Sequence, residues 1–494
     1  MVPKESRVAA TDIALPPTNG HRDDIPMGKL AAQVARRIEA EIIRRRWPVG
    51  ESLGSEVDLR ERHQVSRSVF REAVRLVEHH QVAWMRRGPN GGLFVCAPDA
   101  GPATRAIVIY LEYLGTSVTD LLHARVLLEP IAAALAAERM TEEGIAALRE
   151  SLHAERRLPP GVRSNNRIHV MLGELSGNPV LMLFIDVLAR LTTRYAMTVN
   201  RSSEALAARA RIDPEQVHGS IVNSVIAGDG ARAQIQLIDH LTEISQWMDE
   251  HRDPRRSASG NSTDPQLSDS PRTKLAEVLA ARIHEEIADD GWQIGTVLGS
   301  EADLLARYGV SRAVVREAVR LLEYHAVARM RRGQGGGLVV SAPDPQASID
   351  TIALYLDYER VTAQDLLVVR DAIEAGTVAR VMRRHQDPDV VERLGAAARL
   401  ATTGPSGLTS KNDVFHTELA ALAGNPVLTL FLRIITDVFR RHVTPPQSPA
   451  TRHETDEEVQ RVHERILAAI VNGDESVAKH RMRRHLAALS PFWH

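Results

Sequence analysis

A chain of 494 residues with 44% hydrophobic content is long enough for three or four domains and apolar enough to fill several cores. Its 61 Lys and Arg against 63 Asp and Glu give a net charge of −2. This excludes a global polycation, so any nucleic-acid contact must come from local placement of arginine. The one cysteine, Cys96, excludes an intramolecular disulfide and CxxC metal sites. No apolar run of about 18 residues argues for a membrane span. The N-terminal stretch lacks the apolar centre of a signal peptide, so the expected compartment is the cytoplasm.

The segment KLAAQVARRIEAEI from Lys29 returns as KLAEVLAARIHEEI from Lys274, an offset of 274 − 29 = 245. The same offset relates Trp47 to Trp292, Arg67 to Arg312, His218 to His463 and His240 to His485. A period this long is the duplication of a complete multidomain protein rather than a solenoid. Residues 1–26, rich in Pro, Asp, Thr and Gly without periodicity, read as a disordered tail, and 251–272, with almost no apolar residue, as a flexible linker. Between them lie two small units (27–98 and 273–343), each followed by a larger helical unit (99–250 and 344–494). The expected fold is mainly α, with winged helix-turn-helix domains alternating with all-α bundles.

In the small unit, Leu30, Val34, Ile38 and Ile42 lie four apart on one helix face, as do Leu275, Leu279, Ile283 and Ile287. Trp-Pro-Val-Gly (47–50) and Trp-Gln-Ile-Gly (292–295) end those helices. Ser55 and Ser300 are natural N-caps with acids behind them, and Ser66 and Ser311 cap a second helix after a tight turn. On that second helix Arg67, Arg71 and Arg75 are four apart, and Arg312, Arg316 and Arg320 repeat the row. Long cations at the start of such a helix suit major-groove insertion. Arg86-Arg87-Gly88 and Arg331-Arg332-Gly333, each with a glycine turn and an apolar strand behind, predict a basic β-hairpin wing. Residues 27–97 hold 13 basic and 8 acidic side chains, whereas 273–342 hold 9 of each. The first unit is therefore expected to supply more of the salt-dependent affinity for DNA.

The series SE-x-DL, VSR-xxx-REA and RRG-xx-GG resembles the GntR superfamily of bacterial regulators. The resemblance implies operator contact by the recognition helix and wing, which falls on Arg67, Arg71 and Gly88 and on Arg312, Arg316 and Gly333. Many relatives carry a DNA-contacting arginine directly after the SE pair; here Val57 and Ala302 stand there, and that contact is expected to be missing.

The larger unit reads as a helical bundle, with breakers at Gly177-Asn178-Pro179 and Gly424-Asn425-Pro426 and again at Gly228-Asp229 and Gly473-Asp474. Three histidines per half recur on apolar helix faces: His169, His218 and His240, then His416, His463 and His485. Three imidazoles converging inside a bundle suit Zn²⁺ or Ni²⁺ with open positions. The competing reading is ordinary interior histidines copied by duplication. Here the chain resembles the FadR subfamily and its FCD ligand-binding domain, through Arg125-xxx-Glu129, Arg370-xxx-Glu374 and the His before a Gly-Asn turn. Metal-binding relatives add an aspartate four residues before the first histidine, and bound carboxylates complete the coordination. Asn165 and Asn412 occupy that position, with Asp413 one residue along. Arg125 and Arg370 are candidates for an anionic effector, against a simple Arg–Glu pair along the helix.

The reading is a metabolite-responsive, non-enzymatic transcription regulator that binds an imperfect inverted repeat of double-stranded DNA. One chain would act as an internal pseudo-dimer, with room for further association of two chains. Its competitors are a regulator whose helical domains are inert dimerisation scaffolds with vestigial metal sites, and a metal-dependent hydrolase, which lacks an evident general base.

Overall fold

The computed structural model describes residues 27–88, 91–157, 166–200, 214–250, 271–331, 333, 335–343, 345–399, 408–442 and 449–488. The predicted tail 1–26 and most of the predicted linker (251–270) lie outside the described residues. Pro271 and Arg272, read as the end of the linker, instead open a helix. Proline suits that first helical position, where its missing N–H has no partner to lose. The chain forms two compact units, 1–97 and 98–494.

The first unit holds helices α1 (Met27–Arg44), α2 (Glu56–His63) and α3 (Arg67–His79), then strands β1 (Ala83–Arg86) and β2 (Gly92–Val95). Val34, Ile38 and Ile42 on α1 meet Leu59, Phe70, Ala73 and Val77 in a fully buried core. Ser55 caps α2 in a reciprocal box with Asp58, and Ser66 accepts from the Val69 N–H to cap α3. β1 and β2 pair antiparallel, Ala83 opposite Val95 and Arg86 opposite Gly92. Gly91 is required in the turn, because a Cβ there would sit 2.4 Å from the Arg86 carbonyl oxygen.

The second unit begins with α4 (Ala100–Tyr113), α5 (Val118–Glu138), α6 (Glu142–Arg156), α7 (Arg167–Leu175), α8 (Pro179–Asn200), α9 (Pro214–Ile226) and α10 (Gly230–Glu250). The second winged module follows: α11 (Pro271–Asp289), β3 (Val297–Gly299), α12 (Glu301–Tyr308), α13 (Arg312–Tyr324), β4 (Ala328–Arg331) and β5 (Gly337–Val340). Its sheet runs β3-β5-β4, all antiparallel. Leu279, Ile283 and Ile287 are buried as predicted, but Leu275 is 46% exposed. The first turn of α11 runs past the small core it serves.

The second helical module comprises α14 (Pro345–Tyr358), α15 (Ala363–Met382), α16 (Pro388–Arg399), α17 (Leu408–Leu422), α18 (Pro426–His442), α19 (Pro449–Val471) and α20 (Glu475–Ala487). The two helical modules share one core: residues of α4, α5 and α8 pack with residues of α14, α15 and α18. At its centre the Phe184 and Phe431 rings stack with centroids 3.8 Å apart. The Gly-Asn-Pro breakers do two jobs. Asn178 Oδ1 caps α8, and Asn178 Nδ2 donates to the Asp365 carbonyl of the other module. Asn425 repeats both bonds on α18 and on the Asp120 carbonyl.

The second winged module rests on α4 of the first helical module. Ile109 joins the winged module's core, Tyr113 lies edge-on to Trp292 at 5.5 Å, and Glu112 pairs with His284 at 3.3 Å.

Candidate nucleic-acid interfaces and metal centres

Arg67, Arg71 and Arg75 stand along one face of α3 with side chains 62, 58 and 75% exposed, and Arg312, Arg316 and Arg320 on α13 match them at 69, 60 and 73%. That exposure leaves the cations available to DNA, while the opposite face of each helix fills the core. Glu56 bridges Arg67 and Arg71, and Glu301 bridges Arg312 and Arg316. Each acid comes from the first turn of the preceding helix and holds two guanidinium groups on the exposed face of the second helix. Such exposed pairs contribute little stability, so phosphate or base edges can replace the carboxylate. Ser66 and Ser311 both cap their helices.

On the wings, Arg86 lies over the Phe94 ring at 4.1 Å, and Arg87 and Gly88 are exposed beside it. Arg331 donates to the Gly335 carbonyl, and Gly333 takes a φ of +99° that suits glycine. Arg332 lies outside the described residues.

Inside the helical modules each predicted histidine triad converges. His169 (α7), His218 (α9) and His240 (α10) bring one ring nitrogen each within 4.8 Å of one another, as do His416 (α17), His463 (α19) and His485 (α20). The His218 and His240 Nε2 atoms are 3.2 Å apart, and His485 Nε2 lies 3.2 Å from both His416 Nε2 and His463 Nε2. A tetrahedral ion with bonds of about 2.0 Å sets its nitrogen ligands about 3.3 Å apart, so these spacings fit a metal. All six rings are buried.

Buried carboxylates aim the rings. Glu129 on α5 accepts from His169 Nδ1 at 2.6 Å, Glu374 on α15 does the same for His416, and Glu155 on α6 holds His218 Nδ1 at 3.0 Å. A proton fixed on Nδ1 leaves Nε2 as the lone-pair donor, the arrangement that metal-bound histidines need. The sequence marks Glu129 and Glu374 only as arginine partners; their second role needs the fold. Burial would raise the Glu129 carboxyl, but Arg125 and His169 outweigh it and hold it at about 2. Glu374 is likewise held at about 2 by His416 and Arg370. Such weak bases, already paired, do not suit activation of a hydrolytic water.

Arg125 and Arg370 are themselves buried and pair with Glu129 and Glu374 one turn along the helix. The Arg–Glu pairing that the sequence leaves open is therefore made in both copies. Arg125 also donates to Asn166 Oδ1 at 3.1 Å. The matching residue in the second copy is Asp413 (offset 413 − 166 = 247), whose carboxyl is raised by burial and opposed by the nearby Arg370 charge. The two sites thus differ in their acids: Asp413 stands in the second where the first has Asn166, and Glu155 holds His218 in the first, whereas among the described residues His463 Nδ1 meets no carboxylate. Asn165 lies outside the described residues; Asn412 is on α17, but its side chain is not among those described.

Burial, reinforced by neighbouring cations, keeps several imidazoles neutral below the ordinary 6.5: His123 and His169 at about 4, His485 at about 3 and His240 at about 2. Between pH 6.5 and 4 the unfolded metal-free chain binds protons that the folded chain does not, so stability falls as pH drops through that window. Between pH 4.5 and 2 the unfolded chain also protonates Glu129 and Glu374 while the folded chain keeps them as carboxylates, which adds to the loss. The urea midpoint of metal-free protein should be clearly lower at pH 5 than at pH 7; equal midpoints would contradict this account.

Among the described residues no helix is long and apolar enough to cross a membrane. The family model described as bacterial regulatory proteins, gntR family, matches residues 30–95 and 275–337, and the FCD domain model matches 120–243 and 365–488. The putative HTH-type transcriptional regulator RmpR of Mycobacterium gastri is 33% identical over 161 residues, which is 32% of this chain and 58% of that protein. The HTH-type transcriptional regulator LutR of Bacillus subtilis is 30% identical over 204 residues, 40% of this chain and 90% of LutR. A solved GntR structure from Streptococcus agalactiae, 22% identical, aligns with 44% of this chain and 99% of its own at a TM-score of 0.32. With both models matched twice over capped, arginine-bearing helix-turn-helix modules and histidine-bearing bundles, the chain belongs to the GntR family of bacterial regulatory proteins and carries two gntR-type DNA-binding domains and two FCD domains.

Proposed function

We propose that the chain is a cytoplasmic, one-component transcription regulator that binds a double-stranded operator through both winged modules and senses a small organic acid at its FCD domains. The observation that carries the sensing half is the convergence of three buried histidines per FCD domain, with buried glutamates holding Nδ1 of His169 and His416. Zn²⁺ or Ni²⁺ would be held by His169, His218 and His240 and by His416, His463 and His485, with Asn165 and Asn412 as candidate oxygen ligands. The ion would supply open coordination positions for a carboxylate. Arg125 and Arg370 add positive charge to the wall of each site, which an anionic effector would share with Glu129 and Glu374.

Communication with DNA has a physical route in the packing of Tyr113 and Glu112 on Trp292 and His284. A ligand that fits the first FCD domain better in one position of α4 would bias the second winged module. Because α3 and α13 share SR-xxx-REAVRL, the operator is expected to be an imperfect inverted repeat. Selection of bound sequences from random DNA, followed by footprinting, tests this. Two unrelated half-sites would sink it.

A further inference from the structure

The two FCD domains meet through surfaces that have diverged in complementary ways. On α15, Gly376 faces Leu127 of α5: a Cβ at Gly376 would lie 2.3 Å from Leu127 Cδ1. The residue of the first copy equivalent to Gly376 is Ile131 (376 − 245), and the one of the second copy equivalent to Leu127 is Ala372 (127 + 245). Applied to the Leu127–Gly376 contact, the two-fold relation that exchanges the Asn178–Asp365 and Asn425–Asp120 bonds implies Ala372 opposite Ile131, and both residues pack against the shared core. One side of the interface therefore puts a large residue over glycine, and the other puts alanine under isoleucine.

A charge follows the same logic. Arg380 of α15 approaches Asp120 of α5 at 3.8 Å, while its first-copy equivalent is Leu135. We propose that this interface is keyed for unlike pairing: a first FCD domain accepts the second FCD domain of its own chain and disfavours another first FCD domain. Two first copies would set Leu127 against Ile131 twice, which overfills the space, and would leave Asp120 facing Leu135. Two second copies would keep the Arg380 cation but leave Ala372 opposite Gly376 twice, a void on both sides. Both overpacking and voids are penalised in close-packed interfaces. The partner this surface fits is thus the other half of the same polypeptide, and one chain is the pairing unit. The inference rests on the reading that the halves work as a pair, but not on any effector or operator.

The test uses the full chain and a double-mutant cycle. Gly376→Ile, which writes the first copy's residue into the second, should lower the thermal midpoint by about 5 °C. Adding Leu127→Ala should recover most of that loss, although Leu127→Ala alone also destabilises. Gly376→Ala with Leu127→Ala serves as a milder cycle should the isoleucine variant not fold. Light scattering of wild type at low micromolar concentration should give the mass of one chain, 54.4 kDa. Additive losses in both cycles would overturn the keyed contact. A two-chain mass that persists on dilution but falls to one chain in Gly376→Ile would mean that this contact joins different chains, and would overturn the intrachain pairing. Neither result would affect the operator selection, so failure here and failure of the regulator reading are distinguishable.

Discussion

Replacing His218 and His463 together by alanine should abolish divalent-metal binding, taking the purified chain from two equivalents of Zn²⁺ or Ni²⁺ to none by elemental analysis. Each substitution removes one of three converging nitrogens, and two imidazoles with no acid ligand hold such ions poorly. The thermal consequence follows from linkage. A site saturated at about 100 times its dissociation constant adds about 2.7 kcal/mol to stability. Chelation should therefore lower the wild-type midpoint by several degrees, and re-addition of Zn²⁺ should restore it. The double variant should start lower and respond to neither treatment. A wild-type chain that binds neither ion and shows no shift would refute the metal sites and favour FCD domains that act only as scaffolds.

The second large effect is expected on DNA. Arg67→Ala combined with Arg312→Ala removes the first exposed cation of both recognition helices. If each makes a bidentate base contact worth about 1–3 kcal/mol, the pair costs about 2–6 kcal/mol, or about 30-fold to more than 10⁴-fold in operator affinity. Thermal stability should hardly change, because both arginines are exposed and their pairs with Glu56 and Glu301 are of the weak surface kind. Affinity measured at fixed salt on the selected operator and on unrelated DNA separates base reading from phosphate attraction. An equal loss on both would mean that these arginines touch only the backbone. The single variants add a further check. The first winged unit has 13 basic against 8 acidic residues and the second 9 of each, so the Arg312→Ala chain should retain the steeper salt dependence.

Much of this molecule is legible in its sequence. The serine caps, the arginine rows and the glycine turns are local features, and local rules place them on the right helices and hairpins. The histidine triads are also visible, because duplication repeats their spacing and each lies on an apolar face. Beyond reach are pairings between residues distant along the chain. Glu129 reaches His169 across 40 positions and Glu374 reaches His416 across 42. No periodicity predicts that an arginine's helix partner will also orient a ligand on another helix. The expectation for Leu275 fails for the opposite reason: its four-residue spacing is correct, but spacing says nothing about where a core ends.

The repeated winged units and histidine-bearing bundles are thus determined by sequence alone, since capping, helical period and turn chemistry act over a few residues. Tertiary structure alone decides that the second winged module rests on α4 through Tyr113 and Glu112, that Asn178 and Asn425 stitch the FCD domains together, and that Leu127 meets Gly376. Those contacts depend on how whole surfaces fit, and close packing selects that fit only after every helix is in place.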